Sequence, residues 1–304
     1  MEKFSKENCG KPIRTVFLTE AYKDIFYTVS DGLELYARDY GGEYVTPTIL
    51  CMHGLTRNSA DFHNLALQLR DKYRVISVDQ RGRGLSAYDP DPQNYRPDIY
   101  CGDMFALMDH LRLSDVIAVG TSMGGLMTMM MAAMRPKSIR AAVINDIGPE
   151  IDPAGLDRIK GYVGNAGPFK NWDEAVAAIK AQGPDVFPLY TEEDWINFSR
   201  RTCRERQDGS VEFAYDPALS TPFKTEETTA APPDLWPVFD ALRTMPLLVI
   251  RGATSDILSP KTVRKMQSRH PDCIVAEIPN IGHAPMLDQP ESLLAIQNFL
   301  ETVL

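Results

Sequence analysis

No stretch of this 304-residue chain reaches the roughly 18 consecutive apolar residues needed to span a bilayer, so a transmembrane anchor is not expected. The opening run MEKFSKENCGKPIRTVFLTE also lacks an apolar segment of signal-peptide length. Cysteine is sparse: Cys9, Cys51, Cys101, Cys203 and Cys273 are odd in number, scattered, and never in a C-x-x-C pair. That pattern excludes a disulfide framework or a zinc site as the expected scaffold. Cys51 and Cys273 lie in apolar runs and read as buried thiols, which points to a reducing, cytoplasmic compartment. Basic excess is missing too. Lys and Arg total 32 against 41 Asp and Glu, a formal net charge of -9, which disfavours nucleic acid or an anionic membrane surface as partner. No internal repeat, low-complexity segment, cofactor fingerprint or metal-ligand cluster is visible. What is present is ordinary for a globular protein, with 44% hydrophobic and 24% charged residues. The length suits two domains, or one large α/β domain carrying an insertion.

Periodicity favours the second. DIFYTVSDGLELYARDYG (24–41) is two alternating runs about a DG step, a hairpin signal. Beyond it the apolar runs stop alternating. TILCMHG, RVISVDQRG, DVIAVGTS, AAVINDIG, PLLVIRG and CIVAEIP read as strands buried on both faces, as in a parallel sheet covered by helices. Helical stretches at 59–70, 96–112, 123–135 and 260–269, and a last one in PESLLAIQNFLETVL, complete a strand–helix alternation typical of doubly wound α/β folds. The alternation breaks between AAVINDIG and PLLVIRG. Residues 152–237 are rich in proline yet hold helical stretches such as WDEAVAAIK and TEEDWINFSRRTCRER. A structureless loop of that length is implausible. The expected organisation is a core of 1–151 and 238–304 with a mostly helical insertion at 152–237, roofing the C-terminal edge of the sheet, where α/β folds bind ligands.

Chemistry enters at VIAVGTSMGGLM. Gly120-Thr121-Ser122-Met123-Gly124 is a G-x-S-x-G pentapeptide placed after a strand and before a helix, the context of a nucleophile elbow. The serine takes a strained backbone conformation to expose its Oγ, and its neighbours two residues away must be small because strand and helix pass closely. A serine hydroxyl needs a base. Of the five histidines, only His283 lies in a Gly-flanked loop after the last apolar strand, in PNIGHAPM. The base in turn needs a carboxylate to fix its tautomer. Asp256, just past LLVIRGATS, is the favoured candidate; Asp146, at the end of AAVIND, is the rival, with anchoring the start of the insertion as its alternative role. Asp79 reads as structural. Backbone N–H groups of Met123 and Leu55 are the expected oxyanion donors.

Outside this constellation the readings are less specific. Arg57, in HGLTRNS, suits either an acid-binding group at the pocket mouth or a surface arginine before a helix start at Asn58 or Ser59. Trp195 is either a pocket wall or the core of the insertion. Arg200 and Arg204 would share one helical face at i, i+4, most simply a solvated one.

Together, HG at 53–54, DQRGRGLS at 79–86, GTSMGG at 120–125, GATSDILSP at 252–260 and GH at 282–283 strongly resemble the α/β-hydrolase family over roughly 24–150 and 238–304. The resemblance implies an eight-stranded, mostly parallel sheet with helices on both faces and a helical cap after strand six. It carries catalytic roles onto Ser122, Asp256 and His283, with no cofactor and no metal. Serine at the nucleophile position disfavours dehalogenase and epoxide-hydrolase chemistry, which the same fold performs with aspartate. The expected activity is hydrolysis of a carboxylic ester or lactone of a small organic substrate through an acyl-enzyme. The alternative is hydrolysis of a carbon–carbon bond in a ring-cleavage product, a vinylogous diketo acid, which an acid-binding Arg57 would favour. A non-catalytic small-molecule receptor on the same fold is the third reading.

Overall fold

The structure is a computed structural model that describes residues 21–41, 47–164, 167–183, 185–225 and 234–303; Cys9 and the first twenty residues lie outside these. The expected hairpin is formed by β1 (Lys23–Thr28) and β2 (Glu34–Asp39), which pair antiparallel with Phe26 opposite Tyr36. The chain then alternates through β3 (Thr48–Met52), α1 (His63–Leu69), β4 (Val75–Asp79), α2 (Pro97–His110), β5 (Val116–Thr121), α3 (Met123–Met134) and β6 (Ile139–Asn145). An insertion follows, with α4 (Pro153–Tyr162), α5 (Trp172–Gln182), α6 (Glu192–Thr202), β7 (Cys203–Glu205), β8 (Val211–Phe213), α7 (Thr221–Thr225) and α8 (Trp236–Asp240). The sheet resumes with β9 (Leu247–Gly252), α9 (Pro260–Arg269), β10 (Cys273–Ile278) and α10 (Pro290–Val303).

Eight strands form one sheet in the order β1-β2-β4-β3-β5-β6-β9-β10, parallel from β4 onward, with helices on both faces. Every residue of β3, β4 and β9 is buried, as is every residue of β6 except Arg140, which is why these runs do not alternate. The chain moves outward from β3 to β4, then returns to place β5 on the other side of β3. That reversal opens a crevice between the C-terminal ends of β3 and β5, the position where such sheets take ligands.

Two local expectations are corrected. CIVAEIP forms β10, but as the edge strand it is only partly covered, and Cys273 at its start is not fully buried, unlike Cys51. The insertion after β6 is mostly helical, as expected, with β7 and β8 forming a small antiparallel pair within it. The helix read through TEEDWINFSRRTCRER stops at Thr202, so Arg200 and Arg204 share no helical face. Arg200 stacks over Trp172, while Arg204, in β7, donates to Glu212 and Tyr88.

The turn after β4 is held from inside. Asp79 is buried and accepts from Ser59 N–H (2.6 Å) and Leu85 N–H (2.8 Å), the structural role expected of it. Arg81 is buried with Asp89 and Asp103, each at 2.6 Å, and reaches Asp31 at 2.7 Å. His53 is fully buried at the end of β3. Its Nδ1–H donates to the Gly54 carbonyl (2.7 Å), while Nε2 accepts from Gln80 N–H (3.0 Å). Burial, helped by the charge of Arg83, pushes His53 down to about 3, so the ring is neutral in the folded protein.

Below the ordinary histidine value near 6.5 the unfolded chain takes up a proton at His53 that the folded chain refuses. The contribution is therefore fully present above about pH 6.5 and is lost as pH falls towards 3, at up to about 1.4 kcal/mol per pH unit. Denaturant titrations between pH 7 and 4.5 should give a shallower pH slope for His53→Asn than for the wild type. Equal slopes would place the acid sensitivity in other groups.

Candidate active site

Ser122 sits between β5 and α3 at φ 51°, ψ −114°, a strained geometry for a residue with a side chain. The turn is bolted in place: Ser122 N–H donates to Asn145 O (2.9 Å), and Ser122 O accepts from Gly125 (2.8 Å) and Leu126 (3.1 Å). The glycines around it are a packing requirement. A Cβ on Gly120 would lie 2.2 Å from Gly124 O, one on Gly124 2.0 Å from Met52 O, and one on Gly125 2.4 Å from Ile147 Cγ2. Only bare backbone lets α3 leave the sheet so close to β3 and β5.

His283, on the loop after β10, places Nε2 2.9 Å from Ser122 Oγ. Its Nδ1 lies 2.8 Å from Asp146 Oδ2. A carboxylate only accepts, so the ring proton is on Nδ1 and the Nε2 lone pair faces the serine hydroxyl. Here the favoured sequence reading is corrected. The carboxylate behind His283 belongs to Asp146, whereas Asp256 points to Arg158, which grips it in bidentate fashion at 2.6 and 2.8 Å. That ion pair holds the Asp256 carboxyl below the usual range.

The physical reason is strand register. Thr121 pairs with Asn145, so the residues immediately after β5 and β6, Ser122 and Asp146, leave the sheet edge side by side. Asp146 also takes a left-handed conformation (φ 57°), a turn that aspartate tolerates better than most residues. Both its oxygens are used: Gly252 N–H donates to Oδ1 (2.8 Å), and Ser255 Oγ to Oδ2 (2.6 Å), beside His283. The loop after β9 thus supplies a supporting hydroxyl through Ser255, while Asp256 faces the cap. Gly252 is indispensable here, since a Cβ would lie 2.5 Å from the carbonyls of Ile281 and Gly282 on the histidine loop.

The two expected oxyanion residues flank the serine. Met123 opens α3, where a backbone N–H has no intrahelical acceptor. Leu55 follows Gly54, whose hypothetical Cβ would be 3.7 Å from Ser122 Cβ. Sequence reasoning missed the residue that fixes this loop. The buried Arg83, the second arginine of DQRGRG, donates through Nε to Leu55 O (2.9 Å) and through Nη1 to Arg81 O (2.7 Å), and its Nη2 lies 3.7 Å from Met123 Sδ. It missed Asn145 as well, whose Nδ2 ties Thr121 Oγ1 (3.0 Å) to Pro285 O (2.7 Å) and so links the serine and histidine segments. Two polar residues inside otherwise apolar or basic runs were the available signal.

Above Ser122 and His283 lies a cavity of about 160 Å³, roofed by the insertion. Phe187, Trp195 and Phe198 form an aromatic wall: Phe187 stacks on Tyr190 with ring centres 4.3 Å apart, and Trp195 meets Tyr190 edge-on at 5.1 Å. Trp195 is 3% exposed, so it is at once cap core and cavity wall. Arg57 lines the cavity, but its guanidinium is clamped on Asp61 (2.8 and 2.5 Å), donates to Thr202 Oγ1 (2.5 Å), and lies over the Phe198 ring. It joins core to cap. Asn58 caps the short helical turn after it, as the sequence suggested.

The fold and site geometry coincide with a match of residues 49–296 to the model of the Alpha/beta hydrolase family. The chain belongs to that family. It is 35% identical to the 3-hydroxybutyrate-oligomer hydrolase of Cupriavidus necator, over 88% of this chain and 93% of that protein. It is 31% identical to the 2-(acetamidomethylene)succinate hydrolase of Mesorhizobium japonicum, over 84% and 88% respectively. Among solved structures, an alpha/beta hydrolase from Novosphingobium aromaticivorans superposes with a TM-score of 0.88 at 44% identity, covering 93% of this chain and 99% of that one. This alpha/beta hydrolase is therefore an enzyme of the serine-hydrolase and esterase type. No helix among its described residues is long and apolar enough to cross a membrane.

Trp195→Ala should lower unfolding stability by about 3–5 kcal/mol, the usual cost of emptying a large core site. Because the same ring walls the cavity, relative kcat/KM should shift towards bulkier esters by about 10-fold, or roughly 1.4 kcal/mol. Thermal melts beside an ester series check both. A lowered Tm with unchanged ratios would leave the ring a packing residue alone.

Proposed function

We propose that this enzyme hydrolyses small carboxylic esters through an acyl-enzyme formed on Ser122. The observation that carries the reading is the unbroken line Ser122 Oγ–His283–Asp146, at 2.9 and 2.8 Å, on the floor of a cavity with mostly apolar walls. His283 Nε2 takes the hydroxyl proton as Oγ attacks the ester carbonyl. Asp146 keeps the ring in the required tautomer and stabilises the imidazolium. The carbonyl oxygen becomes an oxyanion facing the N–H groups of Leu55 and Met123. The imidazolium returns its proton to the departing alkoxide, and water then repeats the sequence on the acyl-enzyme.

The relatives support an oxygen-rich substrate. One is named for 3-hydroxybutyrate oligomers, whose repeating link is an ester, and another for a substituted succinate. The carbon–carbon alternative leaned on Arg57 as an acid anchor, and Arg57 is spent on Asp61, Thr202 and Phe198. A panel of short p-nitrophenyl esters, small lactones, 3-hydroxybutyrate dimers and a vinylogous diketo acid tests the reading. Turnover confined to the diketo acid would replace it.

Ser122→Ala should lower kcat by about 10³-fold or more with the fold intact, and a fluorophosphonate probe should label the wild type only. Labelling that persists in the variant would move the nucleophile elsewhere.

Asp146→Asn should lower kcat by about 10⁴-fold through the wrong histidine tautomer, whereas Asp256→Asn should cost far less on a neutral ester. The reverse ranking would restore Asp256 behind His283.

A further inference from the structure

The cap's first helix brings a second guanidinium, besides that of Arg57, to a cavity with mostly apolar walls. Arg158 and Tyr162 stand at i, i+4 on α4 and both line the cavity above Ser122. Arg158 grips Asp256 through Nε and Nη2, which leaves the Nη1 edge of the fork off that ion pair. Tyr162 lies beside it: burial raises its hydroxyl, and the guanidinium groups of Arg158 and Arg57 both pull the other way, so the phenol stands within the field of two cations. The helix is fixed there by backbone contact. Asp152 N–H donates to Ile257 O (3.0 Å), and a Cβ on Gly155 would lie 2.3 Å from Asp256 O.

The two arginines differ in how firmly they are held. Arg57 and Asp61 have side chains only 15% and 12% exposed, and Arg57 also carries Thr202 and the Phe198 ring. Arg158 and Asp256 are 33% and 38% exposed. An ion pair that wet contributes little, and its acid can turn to water at small cost. A guanidinium so placed can exchange a partly solvated internal carboxylate for a ligand carboxylate, which it binds bidentately.

We propose that Arg158, with Tyr162 beside it, is a specificity residue that receives a free carboxylate on the substrate, so that the preferred ester carries an acid group a few bonds from the scissile carbonyl. This rests on the ester-hydrolase reading. Asp256 occupies Arg158 when the cavity is empty and is displaced towards solvent when an acid substrate enters. The negative overall charge of the chain does not oppose this locally, because the cavity face of α4 presents a guanidinium.

The test compares 3-acetoxybutanoate with its primary amide, two compounds that share one scissile acetate ester and differ only in the charge of the far group. Acetate release gives kcat/KM for each. The wild type should prefer the acid. Arg158→Gln should lower the acid-to-amide ratio by about 10- to 100-fold, the worth of a charge-assisted hydrogen bond. Asp256→Asn leaves Arg158 without a competitor and should raise the same ratio several-fold. A ratio that Arg158→Gln leaves within twofold, or that Asp256→Asn fails to raise, overturns the proposal, as does a wild type that cleaves p-nitrophenyl butyrate but neither acetoxy compound. Failure of the underlying reading looks different: no ester of any kind would then be cleaved in a Ser122-dependent way.

Discussion

The site depends on one close approach of backbone to backbone. Where β5 ends, the chain must reverse into α3 within hydrogen-bond distance of β3 and β6, and Ser122 sits at the tip with a positive φ. Three glycines within six residues, Gly120, Gly124 and Gly125, make that approach possible, since each would otherwise meet backbone or a packed side chain at 2.4 Å or less. Strain at Ser122 is sustained because its N–H and C=O are both engaged, so the surrounding packing over-determines the turn. The hydroxyl is consequently held at the sheet edge beside the first N–H of a helix.

The rest of the site is assembled around that tip from strand ends. β3 brings Gly54 and Leu55, β6 brings Asp146, β9 brings Gly252 and Ser255, and the segment after β10 brings His283. Parallel pairing puts all these ends at one edge of the sheet, and hydrogen bonds between loops set the final positions. Asn145 links the serine and histidine segments, and Arg83 holds Leu55 by its carbonyl. The Asn145 Nδ2 and Arg83 Nε donors are buried and paired, which fixes the loops they join.

The cap contributes a wall of aromatic rings and one wet ion pair. Its attachment is polar as well as apolar: Arg57 donates to Thr202, Asn58 Nδ2 to Arg201 O, and Gly282 N–H to Val186 O. The last of these ties the cap directly to the loop that carries His283. Cap position and histidine position are thus tied through a main-chain hydrogen bond.

The α/β architecture was legible in the sequence because unbroken apolar runs separated by helical periods have few other solutions, and G-x-S-x-G between strand and helix has a steric logic that residues alone convey. The Gly-flanked His283 was legible for the same reason, and the long gap after β6 announced an insertion. The identity of the carboxylate was not. Asp146 and Asp256 both follow strands and both precede His283, so order along the chain could not separate them. Register between β5 and β6, the left-handed turn at Asp146, and the presence of Arg158 on a helix from a distant part of the chain decided it. The end of α6 at Thr202 was likewise hidden, because the pairing of Cys203–Glu205 with Val211–Phe213 overrides a stretch whose local composition suits a helix. Sequence determined which residue types could reach the sheet edge; only tertiary structure decided which of them touch, because contact depends on register and on partners supplied from elsewhere in the fold.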